Sequence, residues 1–211
     1  MKLRRSFLAL TAMLCAVAIW GCVRMPAWTF ERFTGHVVEQ GTGQPISGAI
    51  VLGLWEETRG SLAHSTTLCV RAETAVTDTR GNYGVPKVRG DNPNRFYVYK
   101  PGYVFDEQVH FDPLSSMRNP VLLQPFSGTG GARLGELSRL YSRTSCIGAA
   151  ETGTKGNELP LLKAMYEEAR GVAQTREDQD MAERLLWGIE EIEFGNKVAT
   201  ERSLERSKGR K

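Results

Sequence analysis

Thiols and one imidazole–carboxylate pair are the groups in this sequence with the most obvious chemistry. Cysteine occurs four times, at Cys15, Cys22, Cys69 and Cys146, and none of the four has the Cys-x-x-Cys or Cys/His spacing of a redox or zinc centre. His36-x-x-Glu39 has the spacing of a zinc-ligand pair. It falls, however, in a segment that reads as a strand, where residues three apart point to opposite faces and share one metal poorly. His64 and His110 would be the third ligands, and neither has coordinating spacing. The bland reading of His36 and Glu39, a strand-edge histidine beside a turn acid, is therefore preferred and no metal site is expected. Covalent catalysis fares no better, because the chain has no Gly-x-Ser-x-Gly elbow and neither Cys69 nor Cys146 has the context of an activated thiol. Gly128-x-Gly130-Gly131 lacks the Lys-Ser/Thr of a phosphate loop and reads as a linker. Glu167-Glu168 and Glu190-Glu191-x-Glu193 lie on helices whose other faces are apolar, so solvated faces are expected. With no nucleophile, metal set or cofactor loop, the residues predict a protein that is not an enzyme and takes no cofactor.

Aromatic side chains offer a binding chemistry instead. Trp55, Phe96, Tyr97, Tyr99, Tyr103 and Phe105 all fall on expected strands or at their ends. Period-2 alternation separates Phe96 and Val98 from Tyr97 and Tyr99, so one sheet face could present the two tyrosines outward as a platform for a glycan. The competing reading places one set in the core and the other in a cross-strand pair.

The N-terminus carries a different signal. Lys2-Leu3-Arg4-Arg5 is positive and Phe7 to Trp20 is apolar except for Thr11, the pattern of an export leader. Its apolar run is shorter than the ~20 residues needed to cross a bilayer as a helix. Ala18-Ile19-Trp20-Gly21-Cys22 resembles a bacterial lipobox, which implies cleavage after residue 21 and lipid on Cys22. Acyl chains worth about 0.8 kcal/mol per buried CH₂ would then hold the protein on a membrane. Val23 follows the cysteine in place of the Asp that signals inner-membrane retention in lipoproteins resembling this one, which implies the outer membrane, facing the periplasm. In such an oxidising compartment Cys69 and Cys146 are expected to form a disulfide. Removing Lys2, Arg4 and Arg5 lowers the basic count from 27 to 24, equal to the 24 acidic residues, so no basic face recommends nucleic acid as a partner.

These groups must be positioned by elements of two kinds. Phe33–Glu39, Ala49–Trp55, Cys69–Val76, Asn82–Val85, Phe96–Lys100, Tyr103–Val109 and Val121–Leu123 read as strands, separated by Gly-, Pro-, Asn- and Asp-rich turns. Later, Leu134, Leu137, Leu140 and Tyr141 recur at helical spacing up to Cys146. A second helix is expected from Glu158 to Thr175, with Asn157 as cap, and a third from Asp178 to Phe194. The expected organisation is a leader over 1–21, a tether over 22–32, a β-domain over 33–126, a helical region over 127–200 packed on it, and a disordered basic tail over 201–211. Gly35-His36-Val37-Val38-Glu39, Thr42 to Val51, Thr77 to Tyr83 and Lys100-Pro101-Gly102-Tyr103 together resemble a carboxypeptidase regulatory-like domain. That resemblance implies an α+β chain built on a seven-stranded antiparallel transthyretin-like β-sandwich, and a binding or interaction role in place of catalysis. The expected partners are the membrane, through the lipid on Cys22, and an envelope protein, with a glycan as the alternative ligand of Tyr97 and Tyr99.

Overall fold

The computed structural model describes residues 32–61, 64–87, 93–109, 120–144 and 156–208. Its strands are β1 (Arg32–Glu39), β2 (Ile50–Ser61), β3 (His64–Val76), β4 (Asn82–Pro86), β5 (Arg95–Tyr99), β6 (Asp106–Val109) and β7 (Val121–Leu123). Its helices are α1 (Gly130–Thr144), α2 (Leu159–Val172), α3 (Arg176–Phe194) and α4 (Asn196–Lys208). No helix among the described residues is long and apolar enough to cross a membrane.

The strands form a three-stranded sheet in the order β4-β1-β7 and a four-stranded sheet in the order β3-β2-β5-β6. The chain is α+β, but the expected seven-stranded antiparallel sandwich is not what it forms. β1 and β7 pair in parallel, with Val37 opposite Val121 and Glu39 opposite Leu123. The four-stranded sheet, antiparallel throughout, is a middle layer covered on both faces. β2 shows the cause. Ile50, Leu52 and Leu54 point to one side and enter a core with Leu134, Leu137, Leu161, Met165 and Leu185 of the helices. Val51 and Trp55 point to the other and meet Phe33, Val37, Tyr83 and Leu123 of the smaller sheet. A strand apolar on both faces is stable only between two partners, so the helices are a structural layer.

Local differences from expectation have local reasons. β2 and β3 run beyond Trp55 and Cys69 as a hairpin to Ser61 and His64, with a register shift between Trp55 and Glu56, and the Thr-rich stretch sustains the pairing. β6 is confined to Asp106–Val109, because Gly102 (φ 80°) turns the chain and Tyr103 forms a bridge with Pro125. Gly130 and Gly131 open α1 and are not linker, and a side chain at Gly130 would come within 3.0 Å of the Val172 carbonyl. Asn157 does not cap α2, whose N-cap is Glu158. The Asn157 amide instead donates to the Ala72 carbonyl (2.9 Å), and its own carbonyl accepts from Thr74 Oγ1 (2.9 Å), fastening the start of the helix to β3. Residues 201–208, expected as disordered tail, continue α4, since Arg206 finds carboxylates on α3.

Candidate functional site

Among the described residues, a set of buried ionisable groups lies where α1 and α2 meet the four-stranded sheet. Arg133 stands on the apolar stripe of α1 one turn before Leu137, and Glu168 lies on α2 beside Ala169, so each is carried inward by its neighbours. Their side chains are only 3% and 11% exposed. Arg133 Nε donates to Glu168 Oε1 (2.9 Å) and Nη2 to Oε2 (2.8 Å), a bidentate pair. The third guanidinium nitrogen, Nη1, donates to the Tyr103 carbonyl (2.6 Å). Tyr99 of β5 donates its hydroxyl to Glu168 Oε2 (2.5 Å), and the Gly102 amide donates to Oε1 (2.8 Å). The guanidinium also lies over the rings of Phe126 (5.1 Å) and Tyr99 (5.9 Å).

Burial alone would raise the Glu168 carboxyl, but the hydrogen bonds from Arg133, Tyr99 and Gly102 and the guanidinium charge outweigh it and hold the carboxyl below its ordinary range. Burial, reinforced by the Glu168 carboxylate, pushes the Tyr99 hydroxyl far above the usual phenol range and keeps it a donor. A carboxylate offers about four lone-pair positions, and four donors fill those of Glu168. The Glu168 carboxylate therefore has no lone pair left for a substrate or a metal. The chemistry of the cluster is that of a clamp joining two helices to a strand and a turn.

A second cluster fastens α4 to α3. Arg206 donates from Nε to Glu183 Oε2 (2.7 Å) and from Nη1 and Nη2 to the two oxygens of Glu190 (2.9 and 3.0 Å). The acidic runs expected to be solvated faces are thus divided: Glu168 and Glu190 are interior partners of arginines, Glu193 pairs with Lys163 at 2.6 Å, and Glu167 remains at the surface with Arg170.

The other residues singled out in the sequence do not converge on one place. Tyr97 and Tyr99 do share a face of β5, opposite Phe96 and Val98, but that face lies beneath the helices and both tyrosines are fully buried. They cannot form an outward glycan platform. The Tyr97 hydroxyl, raised by burial, donates to the Arg143 carbonyl at the end of α1 (3.3 Å). Cys69 sits on β3, partly buried on the helix side of the sheet, whereas Cys22 and Cys146 lie outside the described residues. His36 and Glu39 diverge: His36 Nδ1 is 3.2 Å from Asn82 Oδ1, while Glu39 accepts from Thr42 Oγ1 (3.0 Å) and from the Tyr103 hydroxyl (2.7 Å). Among the described residues no group of three His, Cys, Asp or Glu side chains could hold a metal. His64 lies on β3, and His110 is outside the described residues.

Sequence reasoning missed the clamp because its members are scattered from Tyr99 to Glu168. A signal was present: one basic and one acidic residue interrupt the apolar stripes of two adjacent helices. Comparison of the chain with protein-family models, curated proteins and solved structures gave no significant match.

Proposed function

We propose that the protein is a lipid-anchored lipoprotein of the bacterial cell envelope, attached through Cys22, that works as a non-enzymatic interaction or assembly module for an envelope protein partner. The observation that carries this reading is the run from Lys2 to Cys22: a positive start, an apolar stretch too short to span as a stable anchor, and a small residue before the cysteine. The described residues are compatible with such a role, since Arg133 with Glu168 and Arg206 with Glu190 are engaged in fastening the fold and leave the surface for a partner. Absence of Asp after Cys22 favours the outer membrane within this reading.

Metabolic labelling with a clickable fatty acid tests the anchor. Wild type should incorporate label and sediment with membranes, and Cys22→Ser should do neither. A Cys22→Ser chain that keeps the label or stays membrane-bound removes the lipoprotein reading. The module role is tested by cross-linking in intact envelopes with both forms. One stoichiometric protein partner, weakened in the Cys22→Ser form, supports assembly, and recovery of glycan without protein overturns it.

A further inference from the structure

α4 is held to its neighbour in an unusual way. Of its described side chains only Ala199 is fully buried, and Leu204 is exposed. Charge does the fastening: Arg206 spans Glu183 and Glu190 of α3, and Arg202 lies 3.7 Å from Glu190 with its guanidinium 4.4 Å above the Phe194 ring. The connection between the two helices is a single residue, Gly195, at φ 88° and ψ 159°, a conformation that L side chains rarely adopt. On its two sides the helical hydrogen bonding is already in place, with Gly195 N–H donating to the Glu191 carbonyl (3.0 Å) and Ala199 N–H to the Gly195 carbonyl (3.2 Å). Rotation of this one residue into helical angles would join α3 and α4 into one helix from Arg176 to Lys208, roughly 50 Å long, and lift α4 off its own α3.

Simple detachment would forfeit the bonds of Arg206 to Glu183 and Glu190 and the burial of Ala199 with nothing in return. A second copy of the same chain removes that penalty, because it offers the face that α3 already accepts. We propose that α4 exchanges between two copies of this chain: with Gly195 straightened, Arg206 of each copy meets Glu183 and Glu190 of the other in an antiparallel pair of long helices. The arrangement is two-fold and closed, and every α3–α4 contact of the single chain recurs in it. The closed form dominates at low concentration, because a one-residue tether holds α4 at an effective concentration in the millimolar range or above. Confinement to a surface, or a residue at 195 that prefers a helix, favours exchange.

Complementary charge variants of the full chain, purified in detergent, test this. Arg206→Glu in one chain and Glu183→Arg with Glu190→Arg in another each oppose like charges in the closed form, and opposite charges return only across a mixed pair. Each variant alone should remain monomeric by sedimentation velocity, and the equimolar mixture should form a one-to-one dimer. Gly195→Ala alone should tighten self-association about tenfold or more, since Ala disfavours the turn and favours the continuous helix. A mixture of folded variants that stays monomeric overturns the exchange. Should a variant lose its helix content, wild type decides: isotopically light and heavy chains are mixed near 1 mM and cross-linked with a carbodiimide. Mixed-label links between α3 and α4 peptides support the exchange, and links confined to single-label pairs overturn it.

Discussion

At the scale of single residues, Glu168 shows how sequence position and chemical role can part company. Its burial is expensive, and only the full set of four donors makes it tolerable. Removing one donor should therefore cost more than the bond itself. Arg133→Ala leaves the carboxylate buried without a counter-charge, and urea unfolding at neutral pH should show a loss of about 3–5 kcal/mol. Tyr99→Phe, which deletes a short charge-assisted bond (2.5 Å), should cost about 1.5–3 kcal/mol, more than Tyr97→Phe, whose hydroxyl makes only long bonds, to the Arg143 carbonyl (3.3 Å) and from Arg95 (3.4 Å). The pH dependence follows from the direction of the shift. A carboxyl held lower in the folded than in the unfolded chain contributes stability above the unfolded value, about 4.3 for Glu, and that contribution disappears as pH falls through the folded value. Unfolding between pH 7 and pH 3 should show this slope in wild type and a smaller one in Glu168→Gln; equal slopes would assign acid sensitivity to other carboxylates.

Elements were legible where the local signal was self-sufficient. Alternation of Ile50, Leu52 and Leu54 with Val51 and Trp55 marks β2 without any tertiary knowledge, and Leu134, Leu137 and Leu140 mark α1 in the same way. The boundary between α2 and α3 was less legible, because Thr175, expected as the end of α2, is instead the N-cap of α3. Thr175 and Asp178 form a reciprocal cap, in which the Asp178 amide donates to Thr175 Oγ1 (3.2 Å) and the Asp178 carboxylate accepts from Thr175 N (2.9 Å). The backbone N–H groups of Thr175 and Gln174, both donating to its carboxylate, also hold the Asp178 carboxyl below its ordinary range. Thr175→Ala should lower stability by about 1 kcal/mol and fray the first turn of α3, visible as faster amide exchange at Glu177 and Asp178. Asn157 and α4 were misread for the opposite reason, because their partners lie on other elements: Ala72 and Thr74 for the first, Glu183 and Glu190 for the second. A polar helix such as α4 looks solvated until the arginine that pairs across to α3 is placed.

For the whole molecule, the apolar stripes of α1, α2 and α3 announced that the helices must bury a face against something, but not that the partner would be the tyrosine-bearing side of the sheet. Period-2 alternation separates two faces and does not say which of them meets water, so the sequence left both a platform and a core position open to Tyr97 and Tyr99, with the core reading preferred. Once the helices cover that face, the relation of Cys69 to Cys146 takes on a physical meaning. Cys69 lies on the helix side of β3, Thr144 at the end of α1 is buried, and the Arg143 carbonyl accepts from Tyr97 of the same sheet. Cys146 follows two residues later in the sequence. The proposed Cys69–Cys146 bond would therefore tie the helical layer to the sheet it covers, closing a long loop whose entropy would otherwise favour the unfolded chain. On the chain-entropy account it contributes on the order of 4 kcal/mol. Thermal unfolding of the oxidised protein should accordingly show a large drop in midpoint on addition of dithiothreitol, and the Cys69→Ser, Cys146→Ser double variant should unfold at the lower midpoint whether or not reductant is present. Peptide mapping under non-reducing conditions should recover the two cysteines in one linked pair; two alkylated thiols in protein taken from its native compartment would leave the helical layer held by the Arg133–Glu168 clamp and the apolar core without covalent help.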